Sequence, residues 1–449
     1  MRIDRLRLKN FRCFKYFDLE LHHRVTLLVG TNGAGKSAVL DALAIAVGAW
    51  LSGTSQARRE ARSIVATDAR LVRQEIGDQM TVNPVFPVRV EAHGRFELAG
   101  GQTRLPGFED SSWARELADQ DGRTSVGDAA TLRDAAAWDE HQAAKRPEHP
   151  LPVLAYYGTG RLWVQKRDKT PEQRSRMSGY RACLEFASDH KLFEHWMADM
   201  EGARVQRLAA AQEAGRPLSE VRSPHLEAVQ AAAVALLEGA TRFFFSIAHQ
   251  ELRVVFEDGT TLPYTALSDG QRSLIMLAAD LAWRCVQLNP YLGVEASAKT
   301  RGIVLIDEIE LHLHPQWQRR VLTRITSIFP QVQFVIATHS PQVVSTAAPS
   351  WLRVVYPDGR WHGVDHTRGR DSNALLRDVF GTVSRPEFAR EAIAQIERLI
   401  GEGNTEAARV ELEALEQELG PDDDTLQGLM WELHDLELHG PLQDGEQHA

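Results

Sequence analysis

The chain has 449 residues, of which 43% are hydrophobic and 25% are charged, as in soluble globular proteins with room for roughly two or three structural units. A formal net charge of −10 argues against a protein that coats nucleic acid, although arginine-rich stretches leave a local basic face open. No apolar run approaches the roughly 20 residues that span a bilayer. The N-terminus lacks a secretory apolar segment, and the three cysteines fit neither a metal site nor a disulfide framework. We therefore expect a cytoplasmic protein.

The N-terminal half begins with strands and a glycine-rich loop. Apolar positions amid polar neighbours in residues 3–8 predict a half-buried strand, whereas the β-prone run 25–29 predicts a strand buried on both faces. Residues 38–50 are expected to be helical, and residues 88–98 to form another strand. From 110 to 150 the chain is rich in alanine, aspartate and polar residues, which predicts an insertion or a mobile loop.

The second half alternates strands with helices. The predicted elements are a strand at 153–157, helices from 175 to 242 with an interruption near 215–217, a hairpin at 252–264, a buried helix at 271–288, strands at 303–306, 334–337 and 352–355, and an acidic helical hairpin from 386 that breaks at 420–421. This order indicates an α/β protein. We expect an N-terminal lobe at 1–165 with a variable insertion at about 100–150, a helical lobe at 166–245, a C-terminal lobe at 246–384 and a helical appendage at 385–449.

Residues 30–37 form the motif that is most informative about function. Their sequence fits G-x-x-x-x-G-K-[ST] and stands between a predicted strand and a predicted helix, as a phosphate-binding loop requires. Backbone N–H groups around Asn32, Gly33 and Gly35 would turn toward phosphates at the positive end of the helix. Lys36 is expected to reach the β- and γ-phosphates of ATP, and Ser37 to bind Mg²⁺. A chance glycine turn is the alternative, and the flanking elements argue against it.

The apolar run 303–306 ends in two acids, Asp307 and Glu308. In a doubly wound sheet the carboxyl ends of the strands face the ligand, so both side chains can meet the nucleotide. We expect Asp307 to hold Mg²⁺ through water and Glu308 to orient and deprotonate the attacking water. A solvated strand end is the alternative for such a pair considered alone.

Two further segments have simple structural explanations when each is considered alone. Ser268, in Leu-Ser-Asp-Gly-Gln at residues 267–271, has the character of a helix N-cap. His339 follows the apolar run 334–337, and a single histidine at such a position is usually structural.

The order of these segments resembles the ABC-type ATPase superfamily, whose helical signature is LSGGQ-like. Asp269 replaces the first glycine of that pattern, while Ser268, Gly270 and Gln271 remain. The resemblance implies that His339 is the switch histidine, which contacts the γ-phosphate. It also implies a homodimer or higher oligomer, in which the signature helix of one chain completes the ATP site of another.

Other residues resemble the RecF-like and OLD-like branches of this superfamily. Thr-His-Ser-Pro at 338–341 and the long segment 307–315 have the form of those branches, and Asn-Phe-Arg-Cys-Phe at 10–14 resembles a motif whose arginine, here Arg12, approaches the phosphates. A surface arginine on a strand is the alternative for Arg12. His312 and His314 alternate as metal ligands can, but we assign them to the D-loop. Arg161 stands where the superfamily has a Q-loop glutamine.

The motifs Ala-Tyr-Tyr-Gly-Thr-Gly-Arg-Leu-Trp at 155–163 and Asp-Ser-Asn-Ala-Leu-Leu-Arg-Asp-Val-Phe-Gly at 371–381 resemble the bacterial family that contains the ATPase of the Septu anti-phage system. This resemblance implies an ATP-controlled sensor subunit that works with a separate HNH nuclease, and the chain itself has no evident nuclease motif. The acidic C-terminal helices would then dock the partner, or they are a packed appendage. One competing interpretation is a RecF-like clamp that acts directly on DNA. The other is an ABC transporter motor, and the segments 307–315 and 338–341 argue against the transporter.

Overall fold

The computed structural model describes residues 1–76, 79–96, 111–125, 127–160, 175–185, 190–381 and 385–439, in two compact units, Met1–Phe380 and Gly381–Ala449. The strands are β1 (Arg2–Phe11), β2 (Phe14–Glu20), β3 (Val25–Val29), β4 (Arg70–Ile76), β5 (Gln79–Val85), β6 (Val88–Arg95), β7 (Ser111–Leu117), β8 (Val153–Tyr157), β9 (Ala240–Ser246), β10 (Glu251–Phe256), β11 (Thr261–Pro263), β12 (Gly302–Ile306), β13 (Val332–Ala337), β14 (Leu352–Val355) and β15 (Trp361–His362). The helices are α1 (Lys36–Leu51), α2 (Ala130–Lys145), α3 (His190–Glu213), α4 (Pro224–Leu236), α5 (Asp269–Leu288), α6 (Ala296–Lys299), α7 (Pro315–Ile328), α8 (Pro341–Val344), α9 (Ser372–Asp378), α10 (Glu387–Gly401), α11 (Thr405–Leu419) and α12 (Asp424–His439). Among the described residues, no helix combines the length and the apolar character that a bilayer crossing needs.

A six-stranded sheet in the order β15-β14-β3-β13-β12-β8 forms the centre of the first unit. Neighbouring strands from β14 to β8 run parallel, whereas β15 pairs antiparallel at the edge. Every residue of β3, β8, β12 and β13 is buried, as continuous apolar strands of a parallel sheet require. The strands predicted at these four positions are thus confirmed. Their carboxyl ends lie at one edge of the sheet.

A second, antiparallel sheet in the order β2-β1-β6-β7 contains the N-terminus. Ile3, Leu6 and Leu8 are all buried, although Ile3 and Leu6 are an odd number of residues apart. The register of β1 against β6 shifts between Ile3 and Arg5, and such an irregularity lets both side chains point to the same face. The half-buried strand predicted here is confirmed. Smaller sheets are formed by β11-β10-β9, which includes the predicted hairpin, and by β4-β5.

Helices α1 and α5 follow the two glycine-containing motifs and are buried almost all round. In α5, the carboxylate of Asp280 accepts hydrogen bonds from the hydroxyl of Tyr157 at 2.7 Å and from Nε of Arg284 at 2.8 Å. Arg284 also donates to the carbonyl oxygens of Gly179 and Arg181, both at 3.0 Å. This buried network joins α5 to the end of β8. Both helices were predicted, and α5 begins two residues earlier than expected.

The segment from 111 to 145 is not a mobile loop, one of the two alternatives predicted for it, and its assignment as an insertion remains a prediction. Residues 111–117 form β7, in which Trp113 is buried and donates from Nε1 to the carbonyl oxygen of Ala46 at 2.9 Å. Helix α2 buries Leu132, Ala135 and Ala136 with the spacing of one helical face. Because alanine is the strongest helix former, the alanine-rich composition favoured a packed helix rather than a loop.

The predicted end of the helical region and the predicted C-terminal hairpin are also wrong. The helical region ends earlier than residue 242, because β9 begins at Ala240 and pairs with β10. The C-terminal segment forms three helices rather than a hairpin. It breaks at Gly420–Pro421, as predicted, but also between α10 and α11, where Gly403 has a φ of +72°. These three helices enclose a core of their own, formed by Ile396, Leu399, Ala408, Leu412, Leu415, Leu426, Leu429 and Leu433. The subdivision of the first unit at about residues 165 and 245 remains a prediction.

Candidate nucleotide-binding site

The loop between β3 and α1 has the backbone that a phosphate-binding loop requires. Gly33 and Gly35 have φ values of +79° and +96°, in the left-handed region that glycine adopts without strain. A Cβ on Gly35 would also lie 2.4 Å from Cζ of the Phe14 ring, so any other residue here would have to displace that ring. Asn32 is exposed beside them. Such a turn at the N-terminus of a buried helix can direct successive N–H groups toward an anion.

Lys36 is the first residue of α1, and its side chain is only 5% exposed. Its Nζ donates hydrogen bonds to the carbonyl oxygens of Gly30 at 2.9 Å and Thr31 at 3.0 Å. Burial lowers the pKa of Lys36 to about 8, although the carboxylates of Asp307, Glu310 and Glu308 oppose this shift. The ammonium group is therefore held inside the loop with the acids of β12 nearby.

Ser37 and Asp307 bring two oxygen ligands together at the ends of α1 and β12. The side chain of Ser37 hydrogen-bonds to the Asp307 carboxylate, which is only 7% exposed. Burial raises the pKa of Asp307, although the bond from Ser37 favours the ionised form. Mg²⁺ usually takes one or two protein oxygens and completes its shell with phosphate oxygens and water, so this pair fits the ion. Such a site does not need three clustered ligands, and the described part of the chain contains no such cluster.

Glu308 and His339 lie at the same edge of the sheet, at the ends of the adjacent strands β12 and β13. Glu308 is half-buried and has a φ of +47°, a backbone conformation that is uncommon for a residue with a side chain. His339 is also half-buried. Burial and the nearby charge of Lys36 lower the pKa of His339, whereas Asp307 opposes that shift. The structure thus brings together Lys36, Ser37, Asp307, Glu308 and His339.

Ser268, Gly270 and Gln271 form a separate group at the N-terminus of α5. Ser268 is exposed and caps the helix, because its Oγ accepts the N–H of Gln271 at 3.3 Å while its own N–H donates to Oε1 of Gln271 at 3.0 Å. Gly270 packs against the D-loop, where an added Cβ would lie 2.4 Å from the carbonyl oxygen of His312. The capping role considered for Ser268 is therefore real, and it leaves the hydroxyl at the surface. His314 caps α7 by accepting the N–H of Gln316.

Arg12 lies at the turn between β1 and β2, with a φ of +50°. The Arg12 guanidinium forms ion pairs with two buried carboxylates, those of Asp41 on α1 and of Asp68. The backbone N–H of Arg12 donates to the carbonyl oxygen of Asp68 at 2.7 Å. Asp41 also accepts from Nη1 of Arg62 at 2.6 Å. Arg12 is thus anchored beside the first turns of α1, and its contact with a phosphate remains a prediction.

One acid that the sequence analysis did not single out also belongs to this edge of the sheet. Glu310 accepts hydrogen bonds from the hydroxyl of Thr338 and from the N–H of His339. Its only sequence signal is that it is the second glutamate of Asp-Glu-Ile-Glu. Arg161, considered in place of the Q-loop glutamine, lies outside the described residues. Tyr156, on β8, is buried, and burial together with the charges of Asp41 and Asp307 raises the pKa of its hydroxyl.

Two family profiles match the chain. One is described as "AAA domain, putative AbiEii toxin, Type IV TA system" and matches residues 160–345. The other is described as "AAA domain" and matches residues 5–213. Together they cover residues 5–345, which include four of the six strands of the central sheet and the loops that carry Lys36, Asp307 and His339.

Similar proteins include a retron ATPase. "Retron Ec83 probable ATPase" of Escherichia coli is 25% identical over an alignment that covers 96% of this chain and 86% of the relative. "Septu protein PtuA" of Bacillus mycoides is 43% identical over 75 residues, which are 17% of this chain and 10% of that protein. "OLD nuclease" of Thermus scotoductus is 25% identical, with 89% of this chain and 71% of that protein covered. The chain is therefore an α/β ATPase that is similar to a retron ATPase and to an OLD nuclease.

Proposed function

We propose that the chain is an ATP-gated switch that works as a dimer. Within one protomer, Lys36 and the loop N–H groups would bind the β- and γ-phosphates, and His339 would contact the γ-phosphate. Ser37 and Asp307 would hold Mg²⁺, which offsets the charge of the phosphates when it is bound. Glu308 would orient the attacking water and accept its proton.

The signature group supports the dimeric part of this proposal. Ser268 is exposed at the N-terminus of α5, so its hydroxyl is available to a second protomer, whereas Gly270 packs against the D-loop of its own chain. In a two-fold dimer the phosphate loop of each chain would face the Ser268 of the other, so that two ATP molecules bridge the protomers. Hydrolysis would remove part of that bridge, which makes ATP the control of the dimer equilibrium.

We further propose that this switch serves anti-phage defence together with a separate HNH nuclease. The observation that carries this proposal is the similarity to the retron ATPase over 96% of the chain. A docking surface for the partner is suggested by residues 385–449, which contain 17 acidic residues and four arginines. Trp431, on α12 within this segment, is 77% exposed.

A DNA clamp similar to RecF is the second candidate, and the distribution of charge favours it. Residues 385–449 carry a formal charge of −13, whereas the whole chain carries −10. The first 384 residues therefore carry a formal charge of +3. The net charge of the whole chain therefore does not describe the ATPase head, and the head can bind phosphate backbones more readily than the total suggests.

Isolation of the tagged chain from its native host would test both candidates. Glu308→Gln would be purified in MgATP, so that the ATP-bound form persists. Recovery of a nuclease chain supports the defence proposal, whereas recovery of DNA without a protein partner supports the clamp. Light scattering of the same variant should give twice the protomer mass in ATP, and the protomer mass for Lys36→Ala. The cytoplasmic location remains a prediction that cell fractionation would check.

A further inference from the structure

We propose that Glu310 is a positioning residue for ATP hydrolysis, which holds the backbone of His339 where its ring can meet the γ-phosphate. This inference rests on the role proposed above for His339. It assigns to Glu310 a function distinct from that of Glu308, which lies two residues earlier on the same segment.

The described hydrogen bonds of the Glu310 carboxylate lead to the loop that carries His339. One carboxylate oxygen accepts the hydroxyl of Thr338 at 2.7 Å, and the other accepts the N–H of His339. The hydroxyl of Thr338 also accepts the N–H of Ser340 at 3.1 Å. Three successive residues of the loop are thereby fixed through one carboxylate.

The segment that carries Glu310 is itself held in place. The N–H of Ile309 donates to the carbonyl oxygen of Ala337 at 3.4 Å, which continues the contact between the ends of β12 and β13. Behind Glu310, its own carbonyl oxygen accepts the N–H of Leu313 at 2.9 Å. The carboxylate is therefore mounted on a compact turn and can transmit the position of β12 to the loop after β13.

Both oxygens of Glu310 already accept hydrogen bonds from this loop. Burial raises the pKa of Glu310, whereas the bonds from Thr338 and His339 favour its ionised form. A carboxylate with both oxygens bound to one loop is well suited to fix the geometry of its donors. A displacement of about 1 Å in a catalytic group can reduce a rate about 100-fold. Loss of this carboxylate should therefore lower kcat and leave ATP affinity nearly unchanged.

The test compares Glu310→Ala, Glu310→Gln, His339→Ala and the double variant Glu310→Ala/His339→Ala. We expect Glu310→Ala to lower kcat on the order of 100-fold, with the Kd for ATP within about twofold of the parent. Glu310→Gln keeps an oxygen for the N–H of His339 and an amide that can donate to Thr338, so it should recover activity to within about tenfold of the parent. The double variant should be no slower than His339→Ala, since residues that act through one another are not additive.

Glu140→Ala is the matched control, and its kcat should equal that of the parent. Glu140 also holds a loop, because its carboxylate accepts the backbone N–H of Ser55 at 2.6 Å and the hydroxyl of Ser55 at 3.0 Å. If Glu310→Ala proves unstable, Thr338→Val removes one donor and should lower kcat by roughly threefold to tenfold.

Unchanged turnover in Glu310→Ala would overturn the inference, as would additive losses in the double variant. A Glu310→Gln protein as slow as Glu310→Ala would instead indicate a chemical role. If His339→Ala turns over like the parent, the role proposed for His339 fails, and a slow Glu310→Ala would then show that Glu310 does not act through it.

Discussion

Mixing two inactive variants gives the most direct test of a site shared between chains. Lys36→Ala removes the ammonium group from the phosphate loop, and Ser268→Arg places a long cation where the exposed hydroxyl now caps α5. Two chains of the same variant contain no intact site between them. In a mixed dimer, one site combines the intact Lys36 of one chain with the intact Ser268 of the other.

The expected recovery follows from counting dimers. A mixed dimer has one intact site out of two, and random pairing at equal concentrations makes about half of the dimers mixed, so the mixture should reach about 25% of the parent ATPase rate. Failure of Lys36→Ala chains to pair with each other would raise this recovery. Loss of the Ser268 cap should itself cost about 1 kcal/mol of helix stability, which leaves the fold intact. Phosphate release would be measured across a series of mixing ratios, where the rate should peak at one to one.

Ser327→Arg provides the matched control for the introduced cation. Ser327 is an exposed serine near the end of α7 and bonds only to the carbonyl oxygen of Arg324 among its described hydrogen bonds, so this variant should retain the parent rate. A mixture of the two site variants that is no faster than the average of its components would refute the shared site. That result would mean that Ser268 and Lys36 act within one chain or that Ser268 has no part in turnover.

Four further predictions concern single variants. Lys36→Ala should abolish ATP binding, which calorimetry would measure. Glu308→Gln should bind ATP with unchanged affinity but lose about 100-fold or more in the rate of phosphate release. Hydrolysis by Glu308→Gln at a rate comparable to that of the parent would show that Glu308 is not the base. Gly270→Val should abolish turnover because its Cβ would lie 2.4 Å from a D-loop carbonyl oxygen, while Gly202→Val, with open space around it, should remain active. Arg284→Met leaves the buried carboxylate of Asp280 without its cation, so it should lower the free energy of unfolding by about 3–5 kcal/mol in urea titrations. A loss below about 1 kcal/mol would contradict this prediction.

The position of the site could be predicted because its residues follow strands that are recognisable one at a time. Lys36, Asp307 and His339 each come after a short apolar run, and parallel strands place their carboxyl ends at one edge of the sheet. The pattern of residues is local in each case. The common edge then follows from topology, without knowledge of any long-range contact.

The partners of Arg12 could not be predicted in the same way. Asp41 lies on α1 and Asp68 precedes β4, so they meet Arg12 only after three separate segments have packed together. No periodicity in the sequence links such positions. Glu310 could not be predicted for a related reason, because its partners Thr338 and His339 lie in the loop after β13 and glutamate is common on exposed turns.

The contact between Gly270 and the D-loop explains which of the two signature glycines this chain can replace. Asp269 has room for its side chain, which is half-exposed and pairs with Arg272, whereas a Cβ at 270 would meet a backbone oxygen. Substitution is therefore tolerated on the outer side of the helix start and forbidden on the inner side. A chain can thus vary the charge that it presents to a second protomer while the spacing between α5 and the D-loop stays the same.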